Sequence, residues 1–377
     1  MRRPPAALPD RATLTRGFVP QGRHVICPAQ SRWRGLADRR DPSSDMRDHE
    51  MQATTFGFER SDGVVLFVYR WLPNGSAKAM VQIAHGWGEH AGRYARVAEA
   101  LCREGYGVYA NDHRGHGRTA RTPAELGFFA ERDGWNHCVR DLWQLHQHIA
   151  ACHRGAPIVM FGHSMGSFMT QQFISEHGDA LAGAALSGSN GAPPASARGG
   201  LLLARFERLR LGQRGNSPLL KRLVFGAFNK PFEPARTPFD WLSRDHGEVD
   251  RYIADPLCGG FESAVQLYID ILSALPDVAR PSRQARIPQR LPIYIFGGAH
   301  DPVGSNIEQL LEAYRSAGIE NLQHHFHPNG RHESLNEVNR DEVTRDLIDW
   351  LNSVVTREPI SSRRQHNSLE RQTMRTR

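Results

Sequence analysis

Lysine is nearly missing from this chain: Lys78, Lys221 and Lys230 are the only three among 377 residues. The positive charge is therefore arginine, and its bias reads as the mark of a GC-rich genome, not of selection for phosphate binding. It is also unevenly placed. Residues 1–50 hold ten arginines against six acids, and residues 357–377 six against two, which leaves residues 51–356 one negative charge out of a formal total of +7. A body close to neutral, with the excess charge in its tails, does not suit a nucleic-acid-binding role. No run of 18 apolar residues occurs, so no transmembrane helix is expected. The start, Met1-Arg2-Arg3-Pro4-Pro5, lacks the apolar stretch of a secretory signal. The five cysteines (Cys27, Cys102, Cys138, Cys152, Cys258) show no C-x-x-C spacing, which argues for reduced thiols in a cytoplasm and against a zinc site or a disulfide framework. No G-x-x-x-x-G-K-[ST] is present, so nucleotide binding has no support. No cofactor and no metal are expected.

What the chain does contain is Gly162-His163-Ser164-Met165-Gly166, a G-x-S-x-G. The apolar run Pro157–Phe161 precedes it and a helix-compatible stretch, Ser167–Phe173, follows. Strand, sharp turn and helix are the setting in which this motif exposes a serine oxygen at a strand end. Gly162, His163 and Gly166 then shape the nucleophile elbow, the glycines giving the chain room to double back. A serine hydroxyl is a weak nucleophile at neutral pH and needs a base, and the base needs an orienting acid. Asp301 follows the short strand Ile293–Phe296, and His332 follows the strand-like Leu322–Phe326. Ser164, Asp301 and His332 thus stand in the chain order of an α/β-hydrolase triad. Asp270 and Asp277 are the rival acids, and His324, His325 and His327 the rival bases; position after a strand favours Asp301 and His332. The fourth requirement is an oxyanion hole. The buried strand Ala79–His85 leads into Gly86-Trp87-Gly88-Glu89-His90. The backbone N–H groups of Trp87 and Met165 are the candidate donors, with His85, Gly86 and Gly88 supporting their loop. Asp112 and Arg114 are expected to pin the neighbouring loop by charge-assisted bonds, with Gly115 and Gly117 making its turn and no catalytic duty for His113 or His116.

Three separated segments, His85-Gly86-Trp87-Gly88-Glu89-His90-Ala91-Gly92-Arg93-Tyr94, Asn111-Asp112-His113-Arg114-Gly115-His116-Gly117 and Gly162–Gly166, resemble the monoacylglycerol lipase and lysophospholipase group of α/β-hydrolases, whose domain carries the serine-aminopeptidase label. Arg236–Asp245 and Asp255–Gly259 resemble the cap of bacterial members, so the likeness spans roughly residues 52–355. The resemblance implies the triad and oxyanion roles for the same residues. It departs from the animal lipases at Trp87, where those carry a small residue; the backbone donor survives, and the indole reshapes the acyl entrance.

Strand patterns fall at 54–60, 64–71, 79–85, 107–111, 157–163, 182–188, 292–297 and 322–327, and helical ones at 93–104, 134–151, 165–177, 305–317 and 333–355. The alternation predicts an α/β-hydrolase fold with a mostly parallel eight-stranded sheet, helices on both faces, and ligands at the strand C-termini. About a hundred residues separate Ser187 from Pro292, too many for a connection. They predict an inserted helical cap. The expected division is a hydrolase core of residues 51–190 and 290–356, a cap of 191–289, and basic tails at 1–50 and 357–377 whose composition reads as disorder. Met46 or Met51 is an alternative beginning. Within 198–230 lie two helical candidates, with Leu220, Leu223, Val224, Ala227 and Phe228 on one face of the second, and eight basic residues against the single acid Glu207. That combination suits peripheral contact with an anionic membrane.

These features predict a cytoplasmic, cofactor-free serine esterase acting on a monoacylglycerol or lysophospholipid through an acyl-enzyme. Two other readings remain open. An amide-cleaving aminopeptidase-like enzyme would need acidic residues for a substrate ammonium, and no convincing set is visible. A non-catalytic ligand receptor could retain the triad. Nothing in the sequence addresses the oligomeric state.

Overall fold

The structure, a computed structural model, describes residues 51–259 and 261–356. The tails expected to be disordered lie outside the described residues. The chain runs β1 (Gln52–Glu59), β2 (Val65–Leu72), β3 (Ala79–Ala84), α1 (Ala95–Arg103), β4 (Tyr106–Asn111), α2 (Gly134–Cys152), β5 (Ile158–His163), α3 (Met165–His177) and β6 (Gly183–Ser187). Five helices follow: α4 (Ala197–Leu211), α5 (Pro218–Phe225), α6 (His246–Ala254), α7 (Val265–Val278) and α8 (Pro281–Gln284). The sheet then resumes with β7 (Ile293–Gly298), α9 (Ile307–Ser316), β8 (Leu322–His327) and α10 (Arg340–Val355).

The eight strands form one sheet in the order β1-β2-β4-β3-β5-β6-β7-β8. Only β2 pairs antiparallel, with β1 on one side and β4 on the other; the remaining ladders are parallel. Strands β3 to β7 are buried along their whole length, as apolar strands covered on both faces must be. β1 and β8 are half exposed, which suits sheet edges. Each strand inferred from the sequence is present. The last helix begins at Arg340, not near residue 333, because the Glu337 carboxylate accepts the N–H groups of Arg331 (2.9 Å) and Arg244 (3.1 Å) and folds the preceding segment back on itself.

The segment between β6 and β7 holds the two helices expected in 198–230, as α4 and α5, and three that periodicity did not reveal. α7 is the informative one. Its residues Leu267, Ile271 and Val278 join Met169 and Phe173 of α3 and Trp135 and Leu142 of α2 in one apolar cluster, while Val265, Tyr268 and Ile269 pack with Ala204 of α4 and Leu220 of α5. A helix apolar on several faces is buried between layers and shows no single stripe. The face proposed for α5 needs correction: Leu220 is buried but Leu223 is 53% exposed, and Ala227 and Phe228 lie past the helix end. Cys102, Cys138 and Cys258 are free and buried.

One charge cluster fastens the β1–β2 turn to the body. Asp141 of α2 accepts Arg60 Nε at 2.8 Å and Arg114 Nε at 2.7 Å, and Arg114 reaches on to Asp62 at 2.6 Å. Arg60, Arg114 and Asp141 are almost wholly buried. Removing the shared acid strands the buried Arg60 and leaves Arg114 only the partly exposed Asp62. Asp141→Ala should therefore cost about 3–5 kcal/mol of stability, whereas Asp62→Ala, at a partly exposed partner, should cost about 1 kcal/mol or less. Urea unfolding of the two variants measures the contrast.

Candidate active site

β5 stops at His163 and α3 starts at Met165, so Ser164 alone makes the turn. It does so at φ 51° and ψ −121°, a left-handed backbone that a β-carbon disfavours. Its N–H still bonds Ser187 O at 2.9 Å, prolonging the β5–β6 ladder, while its carbonyl accepts the N–H of Ser167 at 2.8 Å in the first helical turn. The flanking glycines are required by approach distance. A β-carbon at Gly166 would lie 2.1 Å from Ala84 O, and one at Gly162 2.3 Å from Thr170 Oγ1. The first turn of α3 is pressed onto the end of β3, which leaves Met165 N–H at helix position one without an intrahelical acceptor.

Asp301 and His332 meet. His332 Nδ1 lies 2.9 Å from both carboxylate oxygens of Asp301, which is held in turn by Val303 N–H at 2.8 Å. The His332 ring is buried between His163, with centroids 4.8 Å apart, and Trp241, 4.9 Å away. A β-carbon at Gly188 would sit 2.8 Å from His332 Cε1 and 3.0 Å from His163 Cε1, so that glycine at the end of β6 leaves the imidazole its space. Burial alone would lower the His332 pKa; the Asp301 carboxylate outweighs it and raises the value above the ordinary imidazole level. The rival acids are elsewhere: Asp277 pairs with Arg283 and Arg280, and Asp270 with Gln266. Among the rival bases, His324 lies beside Phe326, and His325 and His327 face Asp346.

The Gly86–His90 loop passes directly beside Ser164, since a β-carbon at Gly86 would lie 3.1 Å from Ser164 Cβ. His85 Nε2 accepts the N–H of His113 at 2.9 Å, so its proton sits on Nδ1 and is donated to Gly86 O at 2.8 Å. Burial pushes the His85 pKa well down, which keeps the ring in this neutral form. Gly88 turns the loop at φ 72°. Trp87 donates its indole N–H to Ser263 Oγ at 2.9 Å and packs edge-on against Phe225 and Tyr268. The next loop is pinned as its charges suggested, with different partners. Asp112 accepts the N–H groups of Ala91 (2.8 Å) and Arg118 (2.7 Å), while Arg114 turns away to Asp141.

Sequence reasoning overlooked the group that joins these parts. Glu89 Oε1 accepts Gly86 N–H at 2.6 Å and Tyr94 O–H at 2.9 Å; its other oxygen takes Arg93 Nη1 at 2.8 Å. The same guanidinium grips Glu333, next to His332, with two bonds of 2.7 Å. The available signal was the i, i+4 spacing of Glu89 and Arg93 and the adjacency of Glu333 to His332. Arg93→Met would leave two buried carboxylates facing each other. It should cost about 3–5 kcal/mol of stability, measured by urea unfolding, and should lower the rate of serine modification by an active-site phosphonate at a temperature where the variant is still folded.

This chain is similar to several known proteins. Residues 75–339 match the family described as serine aminopeptidase, S33. The rat monoglyceride lipase is 31% identical over 231 residues, covering 60% of this chain and 68% of the relative. The monoacylglycerol lipase of Mycolicibacterium smegmatis is 28% identical over 292 residues, covering 77% and 94%. Among solved structures, a thermostable carboxyl esterase from Bacillus coagulans in complex with glycerol superposes with a TM-score of 0.74 at 25% identity, covering 81% of this chain and 99% of its own. A family match over most of the described chain, on an eight-stranded hydrolase sheet, means that this protein belongs to the serine aminopeptidase, S33 family of α/β-hydrolases.

Proposed function

We propose that this protein is a serine hydrolase that cleaves carboxylic esters of lipids, monoacylglycerols or lysophospholipids, through an acyl-enzyme intermediate. The observation that carries the lipid reading is a continuous aromatic wall over the candidate triad. Ring centroids run from Trp87 to Phe225 (4.9 Å), Phe228 (5.8 Å), Trp241 (4.8 Å) and His332 (4.9 Å). An acyl chain entering beside Ser164 meets apolar rings from the oxyanion loop to the base.

In this reading Ser164 Oγ attacks the acyl carbonyl and passes its proton to His332 Nε2, the nitrogen that Asp301 leaves free. The oxyanion is held by the N–H groups of Trp87 and Met165, each worth about 2.7–4 kcal/mol in the transition state. His332 then protonates the departing glycerol or glycerophospho oxygen. Water, deprotonated by the same ring, releases the fatty acid. Amide cleavage at a free N-terminus is less favoured, because the acids beside the site are engaged: Glu89 and Glu333 share Arg93 and offer no carboxylate for an ammonium.

The cap also supports docking to an anionic lipid surface. Leu202, Phe206 and Leu209 of α4 and Leu219 and Leu223 of α5 are exposed. Arg198, Arg205, Arg210, Arg214 and Arg222 are exposed around them. Glu207, the one acid of the stretch, is buried against Arg210 and Ser217. No helix among the described residues is long and apolar enough to cross a membrane. Sedimentation with anionic vesicles at low salt should carry the protein down, and neutral vesicles or high salt should release it; indifference to lipid charge and salt removes this role.

A panel of monoacylglycerols, lysophospholipids, short p-nitrophenyl esters and aminoacyl amides tests the main reading. Lipid esters should be turned over and amides left intact; no turnover of any ester would leave a ligand receptor. Ser164→Ala should lower kcat by about 10⁶-fold. The wild-type pH profile should rise with a midpoint above the ordinary imidazole pKa, because the base must be neutral and Asp301 raises it. Asp301→Asn should lose about 10⁴-fold, and its residual activity should extend to lower pH.

A further inference from the structure

β8 carries three histidines that the reaction does not use, His324, His325 and His327. His325 and His327 are two residues apart on a strand and so share a face. Their ring centroids are 4.2 Å apart. Both face Asp346 of α10: His325 Nδ1 lies 2.9 Å from Asp346 Oδ2, and His327 Nε2 lies 3.7 Å from that same oxygen. The last distance is too long for a hydrogen bond. The His327 side chain is only 1% exposed, yet neither ring nitrogen has a hydrogen-bond partner among the described residues. A buried imidazole with both nitrogens idle is costly and calls for a ligand.

We propose that His325, His327 and Asp346 form a binding site for a first-row divalent transition metal of the Zn²⁺ class, clamping β8 to α10. Two imidazoles and a carboxylate are a donor set such ions favour over Ca²⁺ or Mg²⁺. The three ligand atoms already lie within 4.8 Å of one another. Donors bound at about 2.0–2.2 Å to one tetrahedral ion stand roughly 3.4 Å apart, between the two distances observed. Water completes the coordination from the exposed side of His325. The metal performs no step of the hydrolysis. It braces the strand that leads to the base: the His327 carbonyl accepts the N–H groups of Ala299 (3.0 Å) and Gly330 (3.1 Å), beside Asp301 and His332 in the chain.

The test uses the untagged full-length chain, stripped with a chelator and titrated with Zn²⁺ by calorimetry, with metal content read after gel filtration. The wild type should take up one equivalent at this site. Its thermal midpoint should rise by on the order of 5 °C at a hundredfold excess over Kd, and Mg²⁺ should do neither. His325→Gln and Asp346→Asn, at the partly exposed ligands, should weaken this uptake at least tenfold and abolish the midpoint rise. Their metal-free ester hydrolysis should match the wild type. His90, Asp255 and Cys258 are a second group able to hold a metal, and Cys258→Ser separates the two: it should keep the uptake and the midpoint rise. No zinc uptake by the wild type, wild-type uptake in both β8–α10 variants, or its loss in Cys258→Ser overturns the assignment.

Discussion

The guanidinium of Arg93 is the interaction on which the site depends. It stands between Glu89, whose other oxygen fixes the Gly86–His90 loop at Gly86, and Glu333, the residue after His332. Those two segments follow β3, in the middle of the sheet, and β8, at its edge, and no strand pairing joins them. Burial would push the Glu333 carboxyl up; Arg93 holds it well below its ordinary value. A buried ion of one sign persists only when paired, and here one cation serves two anions while Tyr94, Asn336 and a backbone N–H supply further donors. The arrangement ties the position of His332 to that of the Gly86–His90 loop. Transition-state stabilisation needs both at once, because the donors must already be aimed where the oxyanion forms.

A second constraint ties the cap to the chemistry. His332 N–H bonds Trp241 O at 3.3 Å and Glu333 N–H bonds Leu242 O at 2.8 Å, so the backbone around the base is partly held by the inserted segment. Trp87 is held from the same segment by Ser263, Phe225 and Tyr268. The helices that carry the proposed acyl wall therefore also hold the Gly86–His90 loop and the backbone at His332. The indole at position 87 finds its explanation here: its ring fills space against α5 and α7, and its N–H ties to the turn before α7.

The hydrolase frame was legible because its signals are local. Five covered strands read as apolar runs, G-x-S-x-G forces a positive φ on Ser164, and position just after a strand separated Asp301 and His332 from their rivals. What stayed hidden depends on partners far apart in sequence. Glu89 and Glu333 are joined through one arginine across some 240 positions, and no periodicity records that. α7 escaped because a helix packed on several sides has no polar face. Leu220 and Leu223, three residues apart on a helix of eight, were assigned one environment, yet one is core and the other solvent-facing. The same limit applied to His325 and His327. They read as unused rivals of the base until Asp346 of α10 appeared beside them.

The central claim is that an acyl group passes through Ser164. Turnover of a monoacylglycerol quenched in acid within the first catalytic cycle, followed by peptide mapping, tests it directly. The account predicts a fatty-acyl ester on the peptide that contains Gly162–Gly166, at Ser164, formed in wild type and missing from Ser164→Ala. Product release with no acylated peptide at any time, or an acyl group on another residue, would contradict it.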